Sequence, residues 1–99
     1  MKKYVIEREI PGVGAWTPAQ LRECAETSCE VLAQLAPDVQ WVESYVVEGR
    51  TICVYLATDE ERVREHARLA GFPANRIHEV RAIIDPTTAT ARPLVAARA

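Results

Sequence analysis

Imidazoles and thiols are few in this chain of 99 residues: two histidines and three cysteines. None falls into an H-x-x-H, H-E-x-x-H or C-x-x-C pattern, so no high-affinity metal site is expected within one short segment; any metal site is shallow or shared between chains. An odd cysteine count without close pairs argues against a disulfide framework and implies the reducing cytoplasm. The net charge is −2 with no basic stripe, which speaks against nucleic acid, whose phosphates are bound by clustered Lys and Arg. No run of 18 apolar residues exists, so no membrane span is indicated. The opening K-K-Y-V-I-E-R-E alternates and has no apolar centre, unlike a signal peptide. Gly12-Val13-Gly14 lacks the continuation of a nucleotide loop. Trp16, Trp41 and Tyr45 have no basic groove around them in which to stack on bases.

What is present is one strong hairpin, Gln40 to Ala57. Glu48-Gly49 separates two runs rich in Val, Ile, Tyr and Trp, and an acidic residue before Gly marks a tight turn. A two-residue loop pairs Val47 with Arg50, Ser44 with Cys53, Glu43 with Val54 and Val42 with Tyr55. One face then carries Val42, Ser44, Val46, Thr51, Cys53 and Tyr55; the other carries Trp41, Glu43, Tyr45, Ile52, Val54 and Leu56. A three-residue loop would instead join Glu43 and Tyr45 to Cys53 and Tyr55. Neither face reads as solvated, so both are expected to be covered.

Lys3 to Glu9 reads as a first strand, with Tyr4, Ile6 and Arg8 on one face and Val5, Glu7 and Glu9 on the other. Thr17-Pro18-Ala19-Gln20 opens a helix through a capping box with Pro at the first helical position. Leu21, Cys24, Ser28, Leu32 and Leu35 form its inward stripe, Glu23, Glu26 and Glu30 lie outward, and Pro37 ends it. Thr58-Asp59-Glu60-Glu61 reads as a second capping box. Val63, His66, Ala67 and Ala70 face inward from that helix, and Gly71 and Pro73 stop it. Arg76 to Ile84 reads as a fourth strand. Residues 1–86 thus form one domain, and 87–99 an extension that is an edge strand or a mobile tail. The order β-α-β-β-α-β implies an α+β, ferredoxin-like fold: an antiparallel sheet with helices on one face. The bare face still carries large apolar side chains, and a sheet-to-sheet homodimer would cover it.

The segments Y-V-I-E-R-E-I-P-G, W-V-E-S-Y-V, C-V-Y-L-A, E-H-A-R-L-A-G-F-P and R-I-H-E-V-R-A-I-I-D-P-T-T-A resemble the small actinobacterial nickel-binding proteins, whose wider family is of unknown function. The resemblance spans about residues 2 to 89. It implies a ferredoxin-like homodimer that binds nickel at its surface and serves sequestration or detoxification. It implies no enzyme activity, and it places no ligand residue by residue.

Read from the residues themselves, the metal candidates are His66, His78, Glu43 and Cys53. His66 lies on the apolar stripe of the second helix, over a sheet that can offer Ser44, Cys53 and Tyr55; imidazole, thiol and phenol together suit Ni²⁺ or Zn²⁺. The plainer reading is a buried His satisfied by one hydroxyl. Cys53 is a nucleophile only if a base lowers its pKa, and is more simply a small hydrophobe. Cys24 reads as core and Cys29 as partly exposed. His78 can join carboxylates of a neighbouring element or subunit, or be an ordinary strand residue. Glu7, Glu9 and Glu43 can project to one side of the sheet for acid–base work, or pair with Arg8, Arg50 or Arg81.

Three readings follow. The first is a divalent-metal, specifically nickel, binding protein. The second is a small-molecule binder or catalyst of dimeric α/β-barrel type, with a cavity on the sheet face drawn from Trp41, Tyr45, Glu43, Glu7, Ser44 and Tyr55. The third is a structural or interaction domain.

Overall fold

The computed structural model describes residues 1–90. Strand β1 spans Lys2–Glu9, helix α1 Pro18–Leu35, β2 Val39–Val47, β3 Arg50–Ala57, helix α2 Glu60–Ala70 and β4 Arg76–Glu79. Short 3-10 turns occupy Val13–Ala15 and Pro86–Ala89. The strands form one antiparallel sheet in the order β2-β3-β1-β4. This is the ferredoxin-like arrangement, in which each crossover helix skips over one strand.

The local signals act as expected at α1. Thr17 Oγ1 accepts from the Gln20 amide at 3.2 Å, and the Gln20 side chain accepts from the Thr17 amide at 2.8 Å. At α2 the cap lies one residue later than the sequence suggests. Asp59, not Thr58, accepts from the Arg62 amide at 3.0 Å, because a carboxylate caps a helix start better than a threonine. The α1 stripe is also shifted. Ser28, Val31 and Leu35 are the buried positions, while Leu21 reaches the rim and Cys24 is half-buried. Gly71 closes α2 in the left-handed region at φ 76°, a conformation that costs a side chain about 1–2 kcal/mol.

The hairpin closes with the two-residue loop. Val47 pairs with Arg50, Ser44 with Cys53 and Glu43 with Val54. Of the two turn residues only Gly49 takes positive φ, 77°, so Glu48 avoids the strain a type I′ turn would impose. One expected pair fails. Tyr55 faces Trp41, not Val42, because a bulge between Trp41 and Glu43 leaves Val42 unpaired and half exposed. An inserted residue of this kind reverses the side-chain alternation on one side of it. Trp41 therefore joins Ser44, Cys53 and Tyr55 on the helix side.

The helices cover the face carrying Tyr4, Ile6, Cys53, Tyr55 and Ala57, which pack with Val31, Leu35, Val39 and Val63. The opposite face is bare and carries Val5, Glu7, Glu43, Tyr45, Ile52, Val54, Leu56 and His78, as the cross-strand pairs require. Strand β4 is four residues long and does not run to Ile84. Its last bond to β1 is the Val80 amide to the Lys3 carbonyl at 2.8 Å. Strand β1 begins at Lys2, so the ladder has no partner for the residues that follow. Residues 81–90 are all exposed, including Ile83 and Ile84 at 68 % and 80 %. The remainder of the expected edge strand or tail, 91–99, lies outside the described residues. Among the described residues no helix is long and apolar enough to cross a membrane.

Candidate functional site

The sheet sorts the candidate residues into two groups on opposite faces. Under the helices lie His66, Cys53, Ser44, Tyr55 and Trp41. On the bare face lie Glu7, His78, Glu43 and Tyr45.

On the bare face Glu7 is central. It faces Arg76 directly across to β4 and reaches its diagonal neighbours on both sides. Its Oε2 lies 2.8 Å from His78 Nε2, and its Oε1 accepts from Arg50 Nη1 at 3.3 Å. The hydrogen bond from His78, then the positive charges around it, hold the Glu7 carboxyl below its ordinary value despite some desolvation. His78 is half exposed, so a ligand in solvent can reach the pair. At the far edge, the Tyr45 hydroxyl donates to Glu43, and this bond raises the phenol pKa. Glu43 and His78 occupy one cross-strand row, Glu43–Val54–Val5–His78. Three strand spacings separate them, roughly 14 Å, so one chain cannot bring both to one ion. Among the described residues no group of three or more His, Cys, Asp or Glu side chains converges for a metal.

On the helix side His66 is fully buried. Its Nε2 lies 3.1 Å from Ser28 Oγ on α1, and its ring packs 5.1 Å from that of Tyr55 and 6.2 Å from that of Phe72. Among the described residues Nδ1 has no hydrogen-bond partner. Burial, then the charge of Arg8, push its pKa down to about 4, so the imidazole is neutral at pH 7. The Ser28 hydroxyl thus satisfies one of the two ring nitrogens. Cys53 is buried, 3.4 Å from Thr51 Oγ1. Trp41 Nε1 donates to Ser44 Oγ at 2.9 Å, a contact that depends on the bulge.

Beside these groups lies a cavity of about 210 Å³. Trp41, Ser44, Cys53 and Tyr55 line it together with Arg8 and Ser28. Tyr45, Glu43 and Glu7 do not, so this cavity is under the helices and not on the bare face. Burial raises the Tyr55 pKa, and Arg8 opposes that shift. Burial likewise raises the thiol of Cys24, which also borders the cavity.

Arg8 is the residue whose importance the sequence reading passed over. It is 2 % exposed. Its Nη1 donates to the Pro73 carbonyl at 2.6 Å, its guanidinium stacks near the Tyr55 and Phe72 rings at 5.9 and 5.5 Å, and its Nη2 has no partner among the described residues. It pairs with no carboxylate among the described residues. The signal was visible: a charged residue in step with Tyr4 and Ile6 on the apolar side of β1.

Comparison with known proteins places these features in a family. A search of curated proteins finds no match. The crystal structure of SCO4226 from Streptomyces coelicolor A3(2) superposes with a TM-score of 0.70 at 20 % identity, covering 83 % of this chain and 99 % of that one. That likeness establishes the shared fold. Residues 4–80 match the family described as nickel responsive protein SCO4226-like. The match covers both helices and all of the sheet except the first two residues of β1, and the chain belongs to this SCO4226-like nickel responsive family.

Proposed function

We propose that this protein binds nickel as its cargo on the bare face of the sheet, at sites completed by a second copy, and so limits the free ion. Membership in a nickel responsive family carries the reading. The donor chemistry at Glu7 and His78 supports it: one imidazole nitrogen and one carboxylate oxygen lie together, partly open to solvent. Nitrogen and oxygen donors of this kind suit Ni²⁺. Two donors fall short of a square-planar set, so a second chain completes the site, with water at any position left over. Glu43 at the opposite edge is the donor that a partner would bring toward His78. The bare face supplies a reason to pair, since Tyr45 and Val47 are 50 % and 40 % exposed there beside Val5, Ile52 and Val54. The exposed Ile83–Ile84 arm offers further apolar contact. Surfaces of this character are usually covered by a partner. His66 and Cys53, buried on the other side, serve the core in this reading.

Titration calorimetry with Ni²⁺, Zn²⁺ and Co²⁺ on chelator-treated protein, with sedimentation in parallel, tests the proposal. Saturable binding that prefers Ni²⁺ is expected. It should be lost in His78→Ala and in Glu7→Gln, kept in His66→Gln, and weakened by acid because a protonated imidazole cannot ligate. Absence of binding for every metal, or binding unchanged in His78→Ala, overturns it. A monomer that still binds nickel overturns the shared site.

A further inference from the structure

We infer that the cavity beneath the helices is a second, separate binding site, for a small and largely apolar monoanion of the aromatic or branched carboxylate class, with Arg8 as its counter-ion.

The argument starts from charge. Among the described residues Arg8 is the only charged one lining the cavity, and no Asp or Glu lines it. A buried cation without an anion is costly to the fold, and arginine cannot relieve the cost by losing its proton. Here one carbonyl and two aromatic faces offset it in part, and Nη2 is left without a partner among the described residues. A carboxylate supplies what is missing, because it matches the guanidinium fork and accepts charge-assisted hydrogen bonds.

The second donor comes from the hydroxyl of Ser28, which lines the cavity and contacts His66. In the tautomer that carries its proton on Nε2, neutral His66 donates to Ser28 Oγ. The serine proton is then shared between the Tyr55 hydroxyl, which Ser28 and Arg8 both approach, and the anion. This gives the buried His66–Ser28 pair a role beyond packing.

Size and lining select the rest of the ligand. Engineered apolar cavities of about 150 Å³ take up benzene, so about 210 Å³ holds one ring or branched chain and its carboxylate. The remaining walls include Ile10, Val13, Trp16, Trp41 and Phe72, which favour an apolar body. The rim residues Leu21 and Val46 are 36 % and 43 % exposed, which gives the ligand a way in. None of Glu7, His78 or Glu43 takes part, so this inference stands or falls independently of nickel.

Both tryptophans of the chain line the cavity, so intrinsic fluorescence reports its occupancy. The test is a titration of the metal-free protein with benzoate, with its neutral isostere benzamide and with benzylamine, alongside thermal shift. A ligand of about nine heavy atoms is expected to bind in roughly the millimolar range or tighter. Benzoate should bind at least roughly tenfold more tightly than benzamide, as a charged hydrogen bond requires, and benzylamine should not bind. Arg8→Met should erase the preference for benzoate over benzamide. Ala25→Phe, which fills the cavity from α1, should fold and lose both ligands; it carries the comparison if Arg8→Met does not fold. No saturable response to benzoate overturns the site. Equal affinity for benzoate and benzamide, or binding that survives Ala25→Phe, overturns the assignment of the ligand and of the cavity.

Discussion

Acid should act on this fold through one imidazole. His66 is fully buried, and its pKa falls from 6.5 to about 4 through burial and the nearby Arg8 charge. The unfolded chain therefore binds a proton at pH values where the folded chain does not. The stabilisation is fully present above the unfolded value and is lost as pH falls from about 6.5 to about 4. At about 1.36 kcal/mol for each pKa unit, the loss is roughly 2 kcal/mol at pH 5 and about 3 kcal/mol at pH 4. For a domain of this size each kcal/mol moves Tm by roughly 4–8 °C. The assay is denaturant unfolding of wild type and His66→Gln at pH 7 and pH 5. Glutamine keeps a partner for Ser28 and does not titrate in this range. The variant should be the less stable at pH 7, from lost packing against Tyr55 and Phe72. By pH 5 the gap should close by about 2 kcal/mol, because only the wild type is weakened through this residue. Glu7, whose carboxyl is also held low, titrates in both proteins and cancels. A gap equal at both pH values would refute the reasoning. NMR gives a second reading: the His66 ring should stay neutral at pH 5, and Arg8→Met should raise its pKa.

Three further outcomes follow from the packing. Ile6→Ala, at a position with no exposure in the centre of the core, should cost about 2–5 kcal/mol in urea unfolding. Val42→Ser should stay within about 0.5 kcal/mol, since the bulge leaves that side chain half in water; a cost as large as that of Ile6→Ala would contradict the bulge. Thr17→Ala removes the hydroxyl that caps α1 and should lower stability by about 1 kcal/mol, a loss that should persist when the Gln20 side chain is truncated, because the bond comes from the Gln20 backbone amide.

Several features were legible because they rest on neighbours in the chain. The Thr17–Gln20 box, the Glu48-Gly49 turn, the stop at Gly71 and the alternation of β1 each need only a few consecutive residues and elementary stereochemistry. So did the element order, and with it the ferredoxin-like topology. His66 facing inward followed from helical spacing. Its hydroxyl partner did not, because Ser28 lies 38 residues away on another helix. The four proposed metal candidates share suitable chemistry, but strand order puts His78 and Glu43 at opposite edges and Cys53 and His66 on the other side of the sheet.

By itself, then, the sequence determined the local geometry: where each helix starts and stops, where the hairpin turns, and which residues share a face within an unbroken strand. Tertiary structure decided what crosses between elements. It set the bulge at Val42, which carries Trp41 to the helix side, and the length of β4, which ends where β1 offers no further partner. It also enclosed Arg8 beside a cavity that no Asp or Glu of the described residues lines. The physical reason is common to all three. Ladder pairing, strand overlap and the balance of a buried charge depend on atoms distant in the chain, and no local preference encodes which of those atoms will meet.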